Sequence, residues 1–139
     1  MANTTFSGPV TSDNGFVGNI TGNITGNVTG NVTGNVTGNI TGIVTASIQN
    51  LSGAGAVNLT TMLTSLTTTG ASQALTLANG TVGQLKIITH TVDGGSAILT
   101  PTTALGFTTM TFTNAGDTIT LVYTSAGWAI VGNRGGTVA

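Results

Sequence analysis

An all-β fold follows from three features of the sequence. Thr occurs 31 times and Gly 22 times in 139 residues, a composition suited to pleated surfaces and turns. Residues 18–45 are seven consecutive four-residue units, six of them Gly-Asn-(Ile/Val)-Thr and the last Gly42-Ile43-Val44-Thr45. Beyond them, short alternating apolar and polar runs are separated by Gly, Asn and Asp. Three regions follow: an attachment segment over 1–17, a repeat stalk over 18–45, and a C-terminal β domain over 46–139.

The first region is polar, and Gly8-Pro9 and Asn14-Gly15 are turn signals. It reads as a segment that orders against a partner. The repeat comes next. A period of four is a whole number of β pleats, so each residue type keeps to one face. Val28, Gly30, Val32, Gly34 and Val36 share a face, while Asn27, Thr29, Asn31 and Thr33 share the other. A helix is excluded, because glycine at every fourth position costs about 1 kcal/mol each and β-branched residues fill the gaps. A lone strand of this kind cannot bury its valines or pair its backbone. The spacing predicts an intertwined β-stalk of three chains, in which each glycine gap near the axis receives a neighbour's valine. Closure by three chains also removes the uncharged strand edges that would template aggregation. The outward Asn and Thr would form ladders between chains. A single-chain solenoid is the competing geometry; it needs corners at a coil period of roughly 15–25 residues, and no such period overlies the tetrad.

The third region divides into strands. Val57–Thr69 carries both a helical stripe (Leu59, Met62, Leu63, Leu66) and six threonines; the threonines favour strand. Gln73–Ala78 places Leu75 and Leu77 on one face before Asn79-Gly80. Gln84–Val92 is the longest candidate, with Asp93-Gly94-Gly95 as a tight turn into Ala97-Ile98-Leu99. Thr108–Thr113 presents Met110 and Phe112 together. Asn114-Ala115-Gly116-Asp117 turns into Thr118–Thr124, where Ile119, Leu121 and Tyr123 alternate with the threonines of the run. Ser125-Ala126-Gly127 turns into Trp128–Val131. Read in order, these form an antiparallel meander folded into a β-sandwich or barrel.

Charge narrows the function classes. The chain has one Lys (Lys86), one Arg (Arg134), three Asp (Asp13, Asp93, Asp117) and no Glu. Two isolated cations cannot supply the counterion release on which nucleic-acid binders rely. A near-neutral surface also lacks the repulsion that keeps free monomers apart, and suits a particle or obligate assembly. There is no Cys, hence no disulfide or thiolate site. The start has no basic n-region or apolar h-region, so no signal peptide is expected. Mean hydropathy is +0.38, yet no apolar run approaches the length of a membrane span.

Residues with chemical potential are few. His90 lies between Thr89 and Thr91. Three copies on a trimer axis would hold a metal, but no second ligand accompanies it, and a strand histidine, exposed or hydrogen-bonded, is the simpler reading. Ser, His90 and Asp93 or Asp117 supply the types of a hydrolytic triad without a Gly-x-Ser-x-Gly elbow. With three Asp and no Glu, paired carboxylates for glycoside cleavage are not expected. No Walker-type loop occurs, and Gly132-Asn133-Arg134-Gly135-Gly136 reads as a loose C-terminus or an inter-subunit contact. Each Asn-x-Thr of the repeat is formally a glycosylation acceptor, better explained by ladder formation. Trp128 and Tyr123 would stack a sugar, but in alternating strands such residues are more often core. No catalytic residue, metal or cofactor is assigned.

Thr4-Thr5-Phe6-Ser7-Gly8-Pro9-Val10 with Asn14-Gly15-Phe16 resembles the opening of small virion structural proteins of marine and cyanobacterial tailed phages. The stretch Thr67-Thr68-Thr69-Gly70-Ala71, Ala78-Asn79-Gly80-x-x-Gly83-Gln84-x-Lys86 and Val92-Asp93-Gly94-Gly95 is similar to their C-terminal β domain. Thr111-x-Thr113-Asn114-Ala115-Gly116-Asp117 and Gly127-Trp128 continue the match, which covers most of the chain. The resemblance implies a homotrimeric, non-enzymatic virion protein that decorates the head or forms a short fibre or spike. Its partners would be two further copies and a major capsid protein or another virion protein. Phe6, Pro9, Val10 and Phe16 are the attachment candidates. Two other functions stay open: a tail fibre or spike that binds a host-surface glycan, and a single-chain solenoid that binds ice through its outward Thr.

Overall fold

The computed structural model describes residues 37 and 39–139 of the chain. The stalk candidates Val28, Gly30, Val32, Gly34 and Val36, and the attachment candidates Phe6, Pro9, Val10 and Phe16, lie outside the described residues. Ile40–Ala139 is one compact unit. Its first residues, 40–47, form no strand, and all but Ala46 are exposed.

The remainder is all β, with no helix among the described residues. The chain alternates between two sheets. Strands β1 (Ile48–Ser52), β3 (Leu63–Thr67) and β5 (Leu85–Val92) lie side by side in the first sheet. Strands β2 (Gly55–Val57), β4 (Gln73–Leu77) and β6 (Ala97–Pro101) lie side by side in the second. Both sets pair parallel. Each return to the first sheet thus adds one coil, and three coils make a β-solenoid-like arrangement. Alternation sets which residues point inward: β3 buries Thr64 and Leu66, β4 buries Leu75 and Leu77, and β6 buries Ala97, Leu99 and Pro101. Residues of both sheets form a single apolar cluster.

The C-terminal part covers one end of this stack. After the two-residue strand β7 (Ala104–Leu105), β8 (Met110–Phe112) adds antiparallel to β6. Strand β9 (Thr118–Thr124) adds antiparallel to β5, and β10 (Gly127–Arg134) follows it by a true hairpin in which Gly127 opposes Thr124. Strand β11 (Thr137–Val138) pairs with β8. The Ala139 carbonyl accepts from Thr108 N at 2.6 Å and Thr109 N at 3.1 Å. The glycine-rich tail is therefore built into both sheets and is not loose.

Strands are found within each span marked from Val57 to Val131, whereas β1, the start of β2, β7 and β11 lie outside those spans, and the antiparallel meander is corrected. Asp93-Gly94-Gly95-Ser96 does not reverse the chain within one sheet; it carries it from β5 across to β6. Val57–Thr69 holds the end of β2 and all of β3, as its threonines indicated.

Trp128 anchors the closing layer. It is buried, its indole Nε1 donates to the Ala78 carbonyl at 2.8 Å, and Tyr123 packs edge-on at 5.1 Å. Trp128→Phe is expected to cost about 1–2 kcal/mol through the lost hydrogen bond and volume, read as a lower urea midpoint at unchanged slope.

Candidate functional site

Three polar assemblies and the outer sheet faces carry whatever chemistry the described residues offer. The first is built at the corner between β5 and β6. His90 points inward on β5 opposite Leu66, fully buried, with the Phe112 ring edge-on at 6.5 Å. Its Nε2 lies 2.9 Å from Thr68 Oγ1. That hydroxyl accepts from Gly94 N at 2.9 Å and donates to Gly95 O at 3.0 Å. With its only proton so used, Thr68 accepts from His90 Nε2–H. Nδ1 is then a bare acceptor, buried without a partner among the described residues, which is less costly than a buried unpaired N–H. A histidine enclosed within its own coil has no path to an axis shared with other copies.

Asp117 closes the adjoining turn. Its backbone carbonyl accepts from His90 N at 2.8 Å. Its Oδ2 accepts from Thr113 N at 2.8 Å and Asn114 N at 3.0 Å. Burial pushes the carboxyl up, but those two N–H groups and the Thr113 hydroxyl together hold it below the usual aspartate range. Its carboxylate holds a turn and makes no hydrogen bond to the His90 ring, and the side-chain partner of that ring is Thr68. Asp93 Oδ1 accepts from Gly95 N at 2.9 Å, again within its own turn. Among the described residues, no three metal-binding side chains converge.

The second assembly surrounds Lys86, which is fully buried on β5. Its Nζ donates to Thr61 O at 2.8 Å and Thr61 Oγ1 at 3.1 Å. The Thr61 hydroxyl in turn donates to Asn58 Oδ1 at 2.8 Å. Gln49 completes the row by accepting from Asn58 N at 2.9 Å and from Thr64 Oγ1 at 3.0 Å. Burial lowers the Lys86 pKa from 10.5 to about 8. Because the folded value lies below the unfolded one, charging Lys86 opposes folding fully below pH 8. Between about pH 8 and 10.5 the unfolded chain binds more protons, so stability contributed at this site rises with pH. The melting temperature is expected to climb across that window, and Lys86→Met is expected to remove the climb. Alternation carried this signal: Lys86 and His90 lie two residues either side of Ile88, so an inward Ile88 takes both inward.

The third assembly is an open groove of about 330 Å³ lined by Thr118, Thr120, Gly132, Asn133 and Arg134. It lies just past a register shift between Ile130 and Gly132, where β10 stays paired with β9 through Gly132–Thr120 and Arg134–Thr118. Arg134 Nη1 donates to Gly116 O at 3.0 Å, with the residue exposed. Nothing in the spacing of Gly132-Asn133-Arg134 pointed to this register shift. Of the two sugar-stacking candidates, Trp128 is buried and offers no ring face, and Tyr123 packs edge-on against it.

The outer faces complete the inventory. On the second sheet, Ala56, Thr76 and Thr100 stand in register, with Ala74, Ile98 and Thr111 in the next row. On the first, Ile48, Leu63 and Ile87 stand in register. No family model, curated protein or solved structure matches the chain.

Proposed function

We propose that the chain is a non-enzymatic structural protein of a tailed-phage virion: a homotrimer that decorates the capsid or forms a short spike or fibre. Residues 1–17 attach it to a capsid or other virion protein, residues 18–45 form the three-chain stalk, and the C-terminal β unit is displayed. The observation that carries this reading is the uncharged Gly-Asn-(Ile/Val)-Thr repeat, which buries its valines only against copies of itself. The C-terminal unit is compatible with it, since the inward polar groups of Lys86, His90 and Asp117 are used within the fold. In purified particles that encode it, the chain is expected among the virion proteins at a copy number divisible by three. Absence from those particles would contradict the reading.

Two other readings each rest on one feature. The Arg134 groove favours a spike that binds an acidic host-surface glycan; glycan binding lost in Arg134→Ala supports that role. The in-register Thr76 and Thr100 of the second sheet favour ice binding; thermal hysteresis by the purified chain supports it.

A further inference from the structure

The geometry points to the outer face of the first sheet, at the end where β1, β3 and β5 begin, as the surface that packs against other copies of this chain. The inference rests on the trimeric reading above and extends the interface from the repeat onto the folded unit.

Exposed apolar side chains are not scattered over the unit. Eleven large hydrophobics are exposed, and seven of them lie at or just before the starts of β1, β3 and β5. Ile48 is 54% exposed at the first residue of β1, Met62 precedes β3, and Leu85 is 44% exposed at the first residue of β5, with Val82 just before it. Ile40, Ile43 and Val44, the last at 67% and Ile43 at 96% exposure, lie on the segment that leads into β1. Ser47 O accepts from Leu63 N at 3.1 Å, so this segment enters at the same end of the sheet.

The face is continuous. Ile48, Leu63 and Ile87 form one row across three strands, and Leu85 stands beside Val122 in the next. The second sheet's outer face is mainly Ala and Thr, so the two exteriors differ in kind. No charged residue occurs between Asp13 and Lys86, so copies meet here without like-charge repulsion. The strand β1 is also the open edge of this sheet and carries no charge or proline to protect it. Partly exposed aliphatic side chains at roughly 60–90 Å² each give about 400–600 Å² per copy. A closed ring of three then buries about 1,200–1,800 Å² in all, or about 400–600 Å² at each of its three contacts, which is below a stable specific interface on its own and adds to the burial supplied by the repeat. A second copy satisfies this patch because the neck delivers each copy's apolar segment to the same end.

The chain has no Cys, which permits a direct test in the full-length protein. Single variants Ile48→Cys, Leu85→Cys and Thr76→Cys are labelled with a maleimide at native concentration, with Trp128 emission as the check on folding. Thr76 is exposed on the opposite sheet. The thiols at 48 and 85 are expected to react at least tenfold more slowly than the thiol at 76, and to converge with it on dissociation of the assembly by dilution. Equal rates at all three positions in a chain that is still oligomeric would overturn the face assignment alone. A wild-type chain that is monomeric would overturn the trimeric reading and this inference together.

Discussion

Gly95→Ala is expected to destabilise the C-terminal unit by about 3–5 kcal/mol. Gly95 has φ +141°, where a side chain is strained, and a Cβ there would strike the backbone of Gly70 and Ala71 in the preceding coil. A Cβ on Gly94 would likewise meet the Thr68 carbonyl. The corner after β5 therefore nests on the corner after β3 with backbone against backbone, and no flexible side chain is available to yield. Moving it would also break the Thr68 hydroxyl's bonds to Gly94 N and Gly95 O. Strain and displacement together take a large share of the roughly 5–15 kcal/mol that stabilises a domain. Gly83→Ala is the control: φ is +88°, but nothing lies within 4 Å of the added Cβ. Its cost is expected near 1 kcal/mol. Urea melts followed by Trp128 emission decide the matter, and equal costs for the two variants would contradict the coil-on-coil nesting.

Val28→Asp is expected to abolish assembly while leaving the monomer's C-terminal unit folded. In the proposed stalk, Val28, Val32 and Val36 would alternate with Gly30 and Gly34 on the face turned to the axis. Three carboxylates brought together there would lose water and repel one another, a penalty of several kcal/mol that neighbouring valines cannot offset. Asn27→Asp, on the outward face, is expected to leave the native mass unchanged. Trimers from Val28→Asp with the stability of wild type would contradict the inward-valine arrangement.

Much of the C-terminal unit was legible because alternation reports which face a residue occupies. Thr118–Thr124 is a strand over the span its pattern marks, and Leu75 and Leu77 are buried as a pair. Alternation is silent about the partner strand. Ser125-Ala126 does close a hairpin, whereas Asp93-Gly94-Gly95, with equally strong turn chemistry, crosses between sheets. What distinguishes them is contact with the previous coil, a long-range property. The coil period was hidden too. Register sets Ile48 on Leu63 and Leu63 on Ile87, advances of 15 and 24 residues, so no constant spacing repeats. The solenoid-like geometry set against the stalk for the repeat is found instead over β1–β6. The burial of Lys86 was not read from the sequence: its place two residues from Ile88 carries the signal, but an amine without a carboxylate partner is an uncommon core residue. The Arg134 groove had no sequence signal, since it lies just past a register shift within β10.

The native mass of the full-length chain, measured by light scattering beside a chain that starts near Ala46, tests the central claim most directly. A mass three times the 13.6 kDa of one chain is the result the three-chain stalk predicts, and a smaller mass for the truncated chain would assign assembly to the repeat and neck. A full-length chain that remains a 13.6 kDa monomer at all concentrations would contradict the fibre and leave the solenoid-like unit to be explained by itself.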